Sequence, residues 1–297
     1  MESESDILRL PTEFSLGRVI VYRSDRGSPA AIMNAQGDVR VPCHAQLYLD
    51  VSQDVCNDLR RIRLVPERLR ANGLSFVKKN LSGADFRELA RLRLRSLTIS
   101  FCNGVHVEQL WQLGGTASLE HLSLAHSPVS CADYSWLLHF RLVRTLLLDG
   151  TGAGDACLQA LPELEHLEDL GVGYSALTGD GFRAVWGIPT LNRVSLSKTS
   201  VDNRVLDGIG ACSLLSGLRL DETAVSDDGV GTLVREVLRG GLSLRVLGLR
   251  SCPITDRALV YLSSLRSLGV LDLHGTAVTQ QGVSFLREVL ASCRVLF

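Results

Sequence analysis

One motif recurs along most of the chain at a nearly constant spacing, and this period restricts the possible folds more than any other feature. The motif places two alternating apolar residues before a small polar residue, as in LEHLSLAHS from Leu119 and LGVLDLHGT from Leu268. We take the first of the two alternating apolar residues as the marker of each unit. The markers are Leu74, Leu97, Leu122, Leu146, Leu170, Val194, Leu218, Leu247 and Leu271. Such a period indicates stacked supersecondary units, none of which could bury its apolar face alone.

Each unit predicts a short strand followed by a helix. The marker and the residue two places later, for example Leu146 and Leu148, alternate with their neighbours as in a strand that has one buried face. Further along the unit, apolar residues three apart, such as Leu259 and Leu262, have the spacing of a helix. We expect acidic residues near the helix starts to cap these helices rather than to act as general acids or bases. They are Asp85, Asp155, Asp180, Asp227 and Asp256.

Two stretches between the strand and the helix carry a family resemblance. TAVSDDGV from Thr223 and TAVTQQGV from Thr276 resemble the T-x-V-T-D-x-G-L continuation of leucine-rich-repeat proteins, and the repeats are similar to the cysteine-containing subclass. The resemblance implies an α/β leucine-rich-repeat solenoid, a horseshoe with a parallel β-sheet on its concave face and helices on its convex face. It covers residues 69–297, as nine repeats and a terminal strand stub. For function it implies only a tendency to bind other macromolecules, because a fold is not an activity.

The two ends of the chain depart from the repeat. Residues 1–68 contain the alternating stretches LGRVIVYR, GDVRVP and AQLYLDVS, which predict a small β-rich amino-terminal cap. Such a cap would cover the apolar face of the first repeat, as the end of a solenoid requires. The chain finishes at CRVLF without a polar capping repeat, and an uncapped sheet edge invites pairing. We therefore expect self-association or a partner contact at this edge.

Composition excludes several classes of protein. The chain has 31 Lys and Arg against 32 Asp and Glu, so no global field attracts nucleic acid or an anionic membrane. The start MESESDILRL lacks the basic and apolar regions of a signal peptide, and no apolar run reaches the length of about 18 residues that a transmembrane segment needs. Eight irregularly spaced cysteines without a C-x-x-C pair fit a reducing compartment. We expect a cytoplasmic, intracellular protein.

Motifs that could carry chemistry have simpler explanations in the repeat. LLLDGTGAGDACLQAL from Leu146 has the glycines of a phosphate-binding loop, but it aligns with LRLDETAVSDDGVGTL and lacks the G-x-G-x-x-G spacing. We expect a row of small polar residues, five places after the markers, to bond the backbone of each turn. It includes Cys102, Ser127, Thr151, Ser175, Thr199, Thr223, Cys252 and Thr276. The histidines and cysteines fit no zinc pattern, so we expect no cofactor, no metal and no enzyme activity.

Residues that flank the strand leucines face the concave surface of such a fold. In the second half of the chain they offer an aromatic anchor and charges of both signs, which suit a protein partner. The candidate partner-binding residues are Tyr174, Lys198, Arg219, Asp221, Glu222, Arg250, Asp272 and His274. We therefore expect a non-catalytic protein-protein interaction scaffold that binds another protein on its concave face.

Two alternatives stay open. The opening ILRLPTEF resembles the start of an F-box, which implies a substrate-recognition adaptor of a ubiquitin-ligase-type complex, although strand-like residues follow where the helices of that module should be. The second alternative is an enzyme or a nucleic-acid binder. Arginines concentrated between residues 60 and 95 would suit an acidic partner or RNA, or else form a solvated face. Interleaved aromatics for base stacking are missing there, which disfavours nucleic acid.

Overall fold

The structure is a computed structural model that describes residues 5–22, 29–115, 118–129 and 134–297. Cys131, one of the eight cysteines, lies outside the described residues. The chain divides into two compact units. The amino-terminal unit comprises residues 1–130 and 139–143, and the carboxyl-terminal unit comprises residues 131–138 and 144–297.

The amino-terminal unit begins with antiparallel strands and continues with parallel ones. Its strands are β1 Ser5–Arg9, β2 Gly17–Tyr22, β3 Ala31–Asn34, β4 Asp38–Pro42, β5 Gln46–Val51, β6 Leu74–Val77, β7 Ser96–Ser100 and β8 His121–Ser123. Strand β1 pairs with β4, and β2 lies between β3 and β5. From β5 to β8 the pairing is parallel, and the markers Leu74, Leu97 and Leu122 lie side by side. The repeat register expected from the sequence is therefore confirmed in this unit.

Short helices connect the strands of the amino-terminal unit. They are α1 Gln53–Asn57, a 3-10 helix Leu59–Leu64, α2 Glu67–Asn72, α3 Arg87–Ala90, α4 Val107–Gln112 and a 3-10 helix Leu113–Gly115. A further 3-10 helix, Ser135–His139, precedes β9 in the chain. In this unit Leu69, Leu89 and Leu110 point from the helices into the core and are fully buried. Each helix therefore buries an apolar face that it could not bury alone.

The carboxyl-terminal unit is built on seven parallel strands in chain order. They are β9 Thr145–Leu147, β10 Asp169–Gly171, β11 Arg193–Ser195, β12 Gly217–Arg219, β13 Val246–Gly248, β14 Val270–Asp272 and β15 Arg294–Leu296. The central residue of every strand is buried, and each pairs with the central residue of the next. These residues are the predicted markers from Leu146 to Leu271, followed by Val295. The expected α/β leucine-rich-repeat architecture is confirmed.

The segments between these strands are less uniformly helical than the sequence predicts. The α-helices are α5 Phe182–Val185, α6 Asp227–Gly240, α7 Asp256–Leu262 and α8 Gln280–Val289, and the 3-10 helices are Asp155–Gln159, Leu161–Glu163, Asn203–Leu206 and Ile209–Ala211. Pro162 is the second residue of one 3-10 helix, and Gly208, with φ +85°, separates two others. Neither residue continues an α-helix. The longest helix, α6, occupies the one repeat whose markers are 29 residues apart.

The row of small polar residues bonds the backbone as expected. The hydroxyls of Thr151, Thr199 and Thr223 donate to carbonyl oxygens three residues earlier, at 2.6 to 2.7 Å. The Cys102 and Cys252 thiols donate to carbonyls of the preceding repeat, at 3.1 and 3.0 Å. Burial raises the pKa of both thiols. These cysteines therefore act as buried hydrogen-bonding groups of the turn.

Three aspartates expected to cap their own helices also join neighbouring repeats. The Asp227 carboxylate accepts from the backbone N–H and the hydroxyl of Thr255, at 2.8 and 2.6 Å. Asp256 binds Thr279 in the same way, at 2.8 and 2.7 Å. Asp155 accepts the corresponding two bonds from the threonine of the next repeat. Each of the three lies in the first turn of its own helix, as expected, but these hydrogen bonds go to the next repeat, so the carboxylates also join neighbouring repeats.

Replacing either of two of these aspartates should remove its inter-repeat bonds and destabilise the carboxyl-terminal unit. We expect Asp227→Ala and Asp256→Ala to lower the free energy of unfolding by about 0.5–1.5 kcal/mol each, because each removes hydrogen bonds to the next repeat. Asp228→Ala is the matched control, because that carboxylate only meets Arg257 in an exposed ion pair worth about 0–1 kcal/mol. Urea denaturation followed by circular dichroism measures all three. Equal effects for Asp227 and Asp228 would contradict a structural role of the inter-repeat bonds.

Candidate functional site

The candidate residues lie on one surface, which we call the exposed sheet face. It comprises the side chains of the carboxyl-terminal unit that alternate with the buried markers, together with those just after the strands. Arg219 and Asp272 lie on strands β12 and β14. Asp221, Arg250 and His274 follow their markers by three residues, and Tyr174, Lys198 and Glu222 by four. All eight are half-buried or exposed.

The residue four places after each marker has a left-handed backbone. This left-handed row comprises Lys78, Phe101 and His126 in the amino-terminal unit, and Gly150, Tyr174, Lys198, Glu222, Ser251 and Gly275 in the carboxyl-terminal unit, with φ between 50° and 69°. The amides of Tyr174, Lys198 and Glu222 donate to carbonyls of the next repeat at 2.7 to 2.8 Å. A side chain in this conformation costs roughly 1–2 kcal/mol. Sequence reasoning missed the row, although glycine at two of its positions is a signal of such a conformation.

Three predicted residues of this row are in contact. The Lys198 Nζ lies 5.0 Å from the centroid of the Tyr174 ring and 3.2 Å from Oε1 of Glu222. Tyr174 is 50% exposed, so its ring is available to a partner while one side of it meets the ammonium group. We call Tyr174, Lys198 and Glu222 the exit cluster, because they stand where successive strands end.

Two predicted acidic residues use their carboxylates within the fold. Asp221 accepts from the Arg250 backbone N–H at 3.0 Å and from the Ser197 hydroxyl at 3.2 Å. Asp272 accepts from the backbone N–H of His274 at 3.0 Å and contacts its ring Nδ1 at 2.7 Å. Burial opposes ionisation of Asp272, but these bonds and the nearby charges of His274 and Arg250 hold its pKa below the ordinary value. The two carboxylates therefore fix the local backbone.

Asp149 repeats the arrangement of Asp221 and was not among the predicted residues. Its carboxylate accepts from the Gly173 N–H at 2.9 Å. A Cβ atom at Gly171 would lie 2.2 Å from this carboxylate, and a Cβ at Gly248 would lie 2.5 Å from that of Asp221. Each aspartate carboxylate thus packs against a glycine of the next strand, in space that a Cβ atom would otherwise occupy. The pairing of an aspartate with a glycine in the following repeat is the sequence signal that could have found it.

A groove of about 510 Å³ crosses the exposed sheet face from β9 to β13. Its lining includes small residues, two apolar side chains and three arginines: Gly171, Ser195 and Gly217; Leu147 and Val246; and Arg193, Arg219 and Arg245. Arg193 makes a bidentate ion pair with Asp169, at 2.5 and 2.6 Å, which raises the pKa of the arginine. The groove was not predicted, because it depends on which small residues become neighbours when the repeats stack.

The arginines between residues 60 and 95 are largely paired within the amino-terminal unit. Glu88 accepts from Arg63 and Arg91 at 2.6 to 2.8 Å, and the Arg63 bond is the main cause that lowers the pKa of this carboxyl. Other ion pairs join Arg60 to Asp58, Arg68 to Asp6, Arg87 to Asp85 and Arg95 to Glu120. These ion pairs favour the interpretation that the arginines between residues 60 and 95 form a solvated face, because acidic residues of the protein itself compensate their charges.

The part of the chain that the structure describes contains neither a cluster of metal-binding side chains nor a helix that could span a membrane. No group of three or more His, Cys, Asp or Glu side chains in these ranges is placed to hold a metal ion. Within the same residues, every helix is too short or too polar to cross a membrane.

Comparison with known proteins identifies the fold. The sequence matches no protein-family model and no curated protein. Its structure is similar to internalin InlF of Listeria monocytogenes strain 4b F2365, with 18% identity and a TM-score of 0.58 over 80% of this chain and 70% of that chain. Internalin C2 of the same strain gives 20% identity and a TM-score of 0.54 over 72% and 82%. The internalins are leucine-rich-repeat proteins, so this chain has a leucine-rich-repeat fold. Its repeat subclass stays a prediction.

Proposed function

We propose that this protein is a non-catalytic, intracellular scaffold that binds another protein through the exposed sheet face. In this proposal residues 1–68 form the cap and residues 69–297 form the repeats that carry the binding surface. The observation that carries the proposal is the exit cluster, in which Tyr174, Lys198 and Glu222 hold one another in place on strained backbone. Strain retained at exposed positions supports a hypothesis of function.

The exit cluster has the properties of a binding hot spot. A tyrosine supplies a large contact area at a small cost in conformational entropy, and contact with Lys198 limits its motion before a partner arrives. Arg219 and Arg250 are exposed on the same face and extend the charged surface. Asp221 and Asp272 support this surface by fixing its backbone. We therefore assign direct contact to the tyrosine and the basic residues, and positioning to the two aspartates.

The adaptor alternative gains no support from the described residues. Within the stretch that resembles the start of an F-box, Ile7, Leu8 and Arg9 belong to strand β1 and pair antiparallel with β4. A module made of helices would require a different conformation there. We therefore retain the scaffold as the proposed function.

The proposal is tested by a triple variant of the exposed sheet face. The partner is first identified by cross-linking in cell extract and then purified. We expect Tyr174→Ala, Lys198→Ala and Arg250→Ala together to weaken its binding at least tenfold, measured by calorimetry. The matched control carries Arg183→Ala, Arg235→Ala and Phe285→Ala on exposed helix residues and should stay within twofold of the wild type. Equal affinities for the two triple variants would refute the proposal.

A further inference from the structure

We infer that the groove across β9 to β13 binds an extended acidic peptide segment that carries an apolar side chain. The inference rests on the proposed function, because it specifies the chemistry of the partner on the same face. Charge, shape and the residue types of the lining each support it.

Two of the three arginines that line the groove have no acidic partner among the described residues. Arg219 and Arg245 are exposed in its wall, and neither guanidinium has an ion pair or hydrogen bond within the described residues. Asp169 pairs with Arg193 and Asp149 accepts from the Gly173 N–H, so three arginines and two aspartates give the lining a formal charge of +1. An incoming carboxylate therefore meets two guanidinium groups, and the planar fork of arginine suits bidentate binding of a carboxylate.

The length of the groove suits a short extended segment. Five strands spaced about 4.8 Å apart give a span of about 19 Å, which about six extended residues would cover. Six residues of α-helix would be only about 9 Å long. The extended conformation therefore lets a hexapeptide reach from β9 to β13.

The residue types of the groove favour a peptide over a nucleic acid. Leu147 lies in the strand at one edge of the groove, and Val246, 37% exposed, lies in the strand at the other. They offer contacts to an apolar side chain of the bound segment. No aromatic side chain lines the groove among the described residues, so a base would find no ring to stack on.

Fluorescence anisotropy with labelled hexapeptides tests the inference. We expect the wild-type protein to bind the peptide EELLEE at least tenfold more tightly than QQLLQQ or KKLLKK. The double variant Arg219→Glu and Arg245→Glu should weaken this binding at least tenfold. Ser195→Trp keeps both arginines but fills the floor of the groove, and it should weaken binding at least fivefold. The double variant Arg183→Glu and Arg235→Glu changes the net charge equally on the helices and should stay within twofold.

Each other outcome overturns the inference. Equal binding of EELLEE and QQLLQQ, a Kd for EELLEE weaker than about 1 mM, or an unchanged Kd in the groove variants would exclude an acidic peptide. A single-stranded oligothymidine that binds more tightly than EELLEE, and loses binding in the Arg219 and Arg245 variant, would assign the groove to nucleic acid. The triple variant of Tyr174, Lys198 and Arg250 leaves the groove arginines intact. If the triple variant weakens binding of the purified partner and the groove variants do not, the proposed function therefore stands and the inference about the groove fails.

Discussion

Replacing Trp186 with alanine should lower the free energy of unfolding by about 3–5 kcal/mol, as loss of a buried aromatic side chain does. Trp186 directly follows α5 and is fully buried. Its ring centroid lies 4.8 Å from that of Phe182, and its Nε1 donates to the carbonyl of Val205 at 2.7 Å. The substitution would leave a cavity between two repeats and an unpaired carbonyl oxygen. Urea denaturation followed by circular dichroism measures the loss.

Two further variants separate the cavity from the hydrogen bond. Trp186→Phe keeps much of the apolar volume but removes the donor to Val205, and it should cost about 1–3 kcal/mol. Trp111→Ala removes a tryptophan that is 43% exposed and should cost about 1 kcal/mol or less. If Trp186→Ala destabilises no more than Trp111→Ala, the packing between α5 and the following repeat contributes little to stability. The repeats would then unfold more independently than their shared core suggests.

The strand register could be predicted because one physical cause determines both the pattern and the structure. Each marker must be buried, so Leu146, Leu170 and Val194 recur in the sequence at the spacing with which they pair in the sheet. The helical segments were less predictable. Apolar residues three apart fit a 3-10 helix as well as an α-helix, and single residues such as Pro162 and Gly208 decide between them.

The site was predicted in its composition but not in its bonding. The sequence placed Arg219 and Asp221 on one face, and charge alone gave no reason to treat them differently. The structure shows that Asp221 bonds the backbone of the next repeat, whereas Arg219 points into a groove. That difference depends on a glycine, Gly248, in the adjacent strand. To predict a contact between two repeats, one must know how their residues align across the sheet. The sequence pattern of a single repeat does not contain this alignment.

Glycine substitutions in the left-handed row should separate binding from stability. We expect Tyr174→Gly, Lys198→Gly and Glu222→Gly together to weaken partner binding at least tenfold without loss of stability. Gly150 and Gly275 occupy the same position in other repeats, so the fold accepts glycine there. Relief of a strain of roughly 1–2 kcal/mol per residue is offset by the entropy of glycine in the unfolded chain, about 0.5–1 kcal/mol. The net gain should be about 0–1.5 kcal/mol at each position.

The corresponding alanine variants provide the reference for this measurement. Alanine removes the same functional groups but keeps a Cβ atom on the left-handed backbone, so each glycine variant should unfold at a higher urea concentration than its alanine counterpart. The ion pair of Lys198 with Glu222 is exposed and contributes little to either variant. If the glycine variants are less stable than the alanine variants, the left-handed backbone holds no strain for glycine to relieve, and strain no longer argues for function. If the glycine variants are more stable than the wild type and bind less, the protein retains Tyr174, Lys198 and Glu222 against its own stability, which is the expected property of a recognition surface.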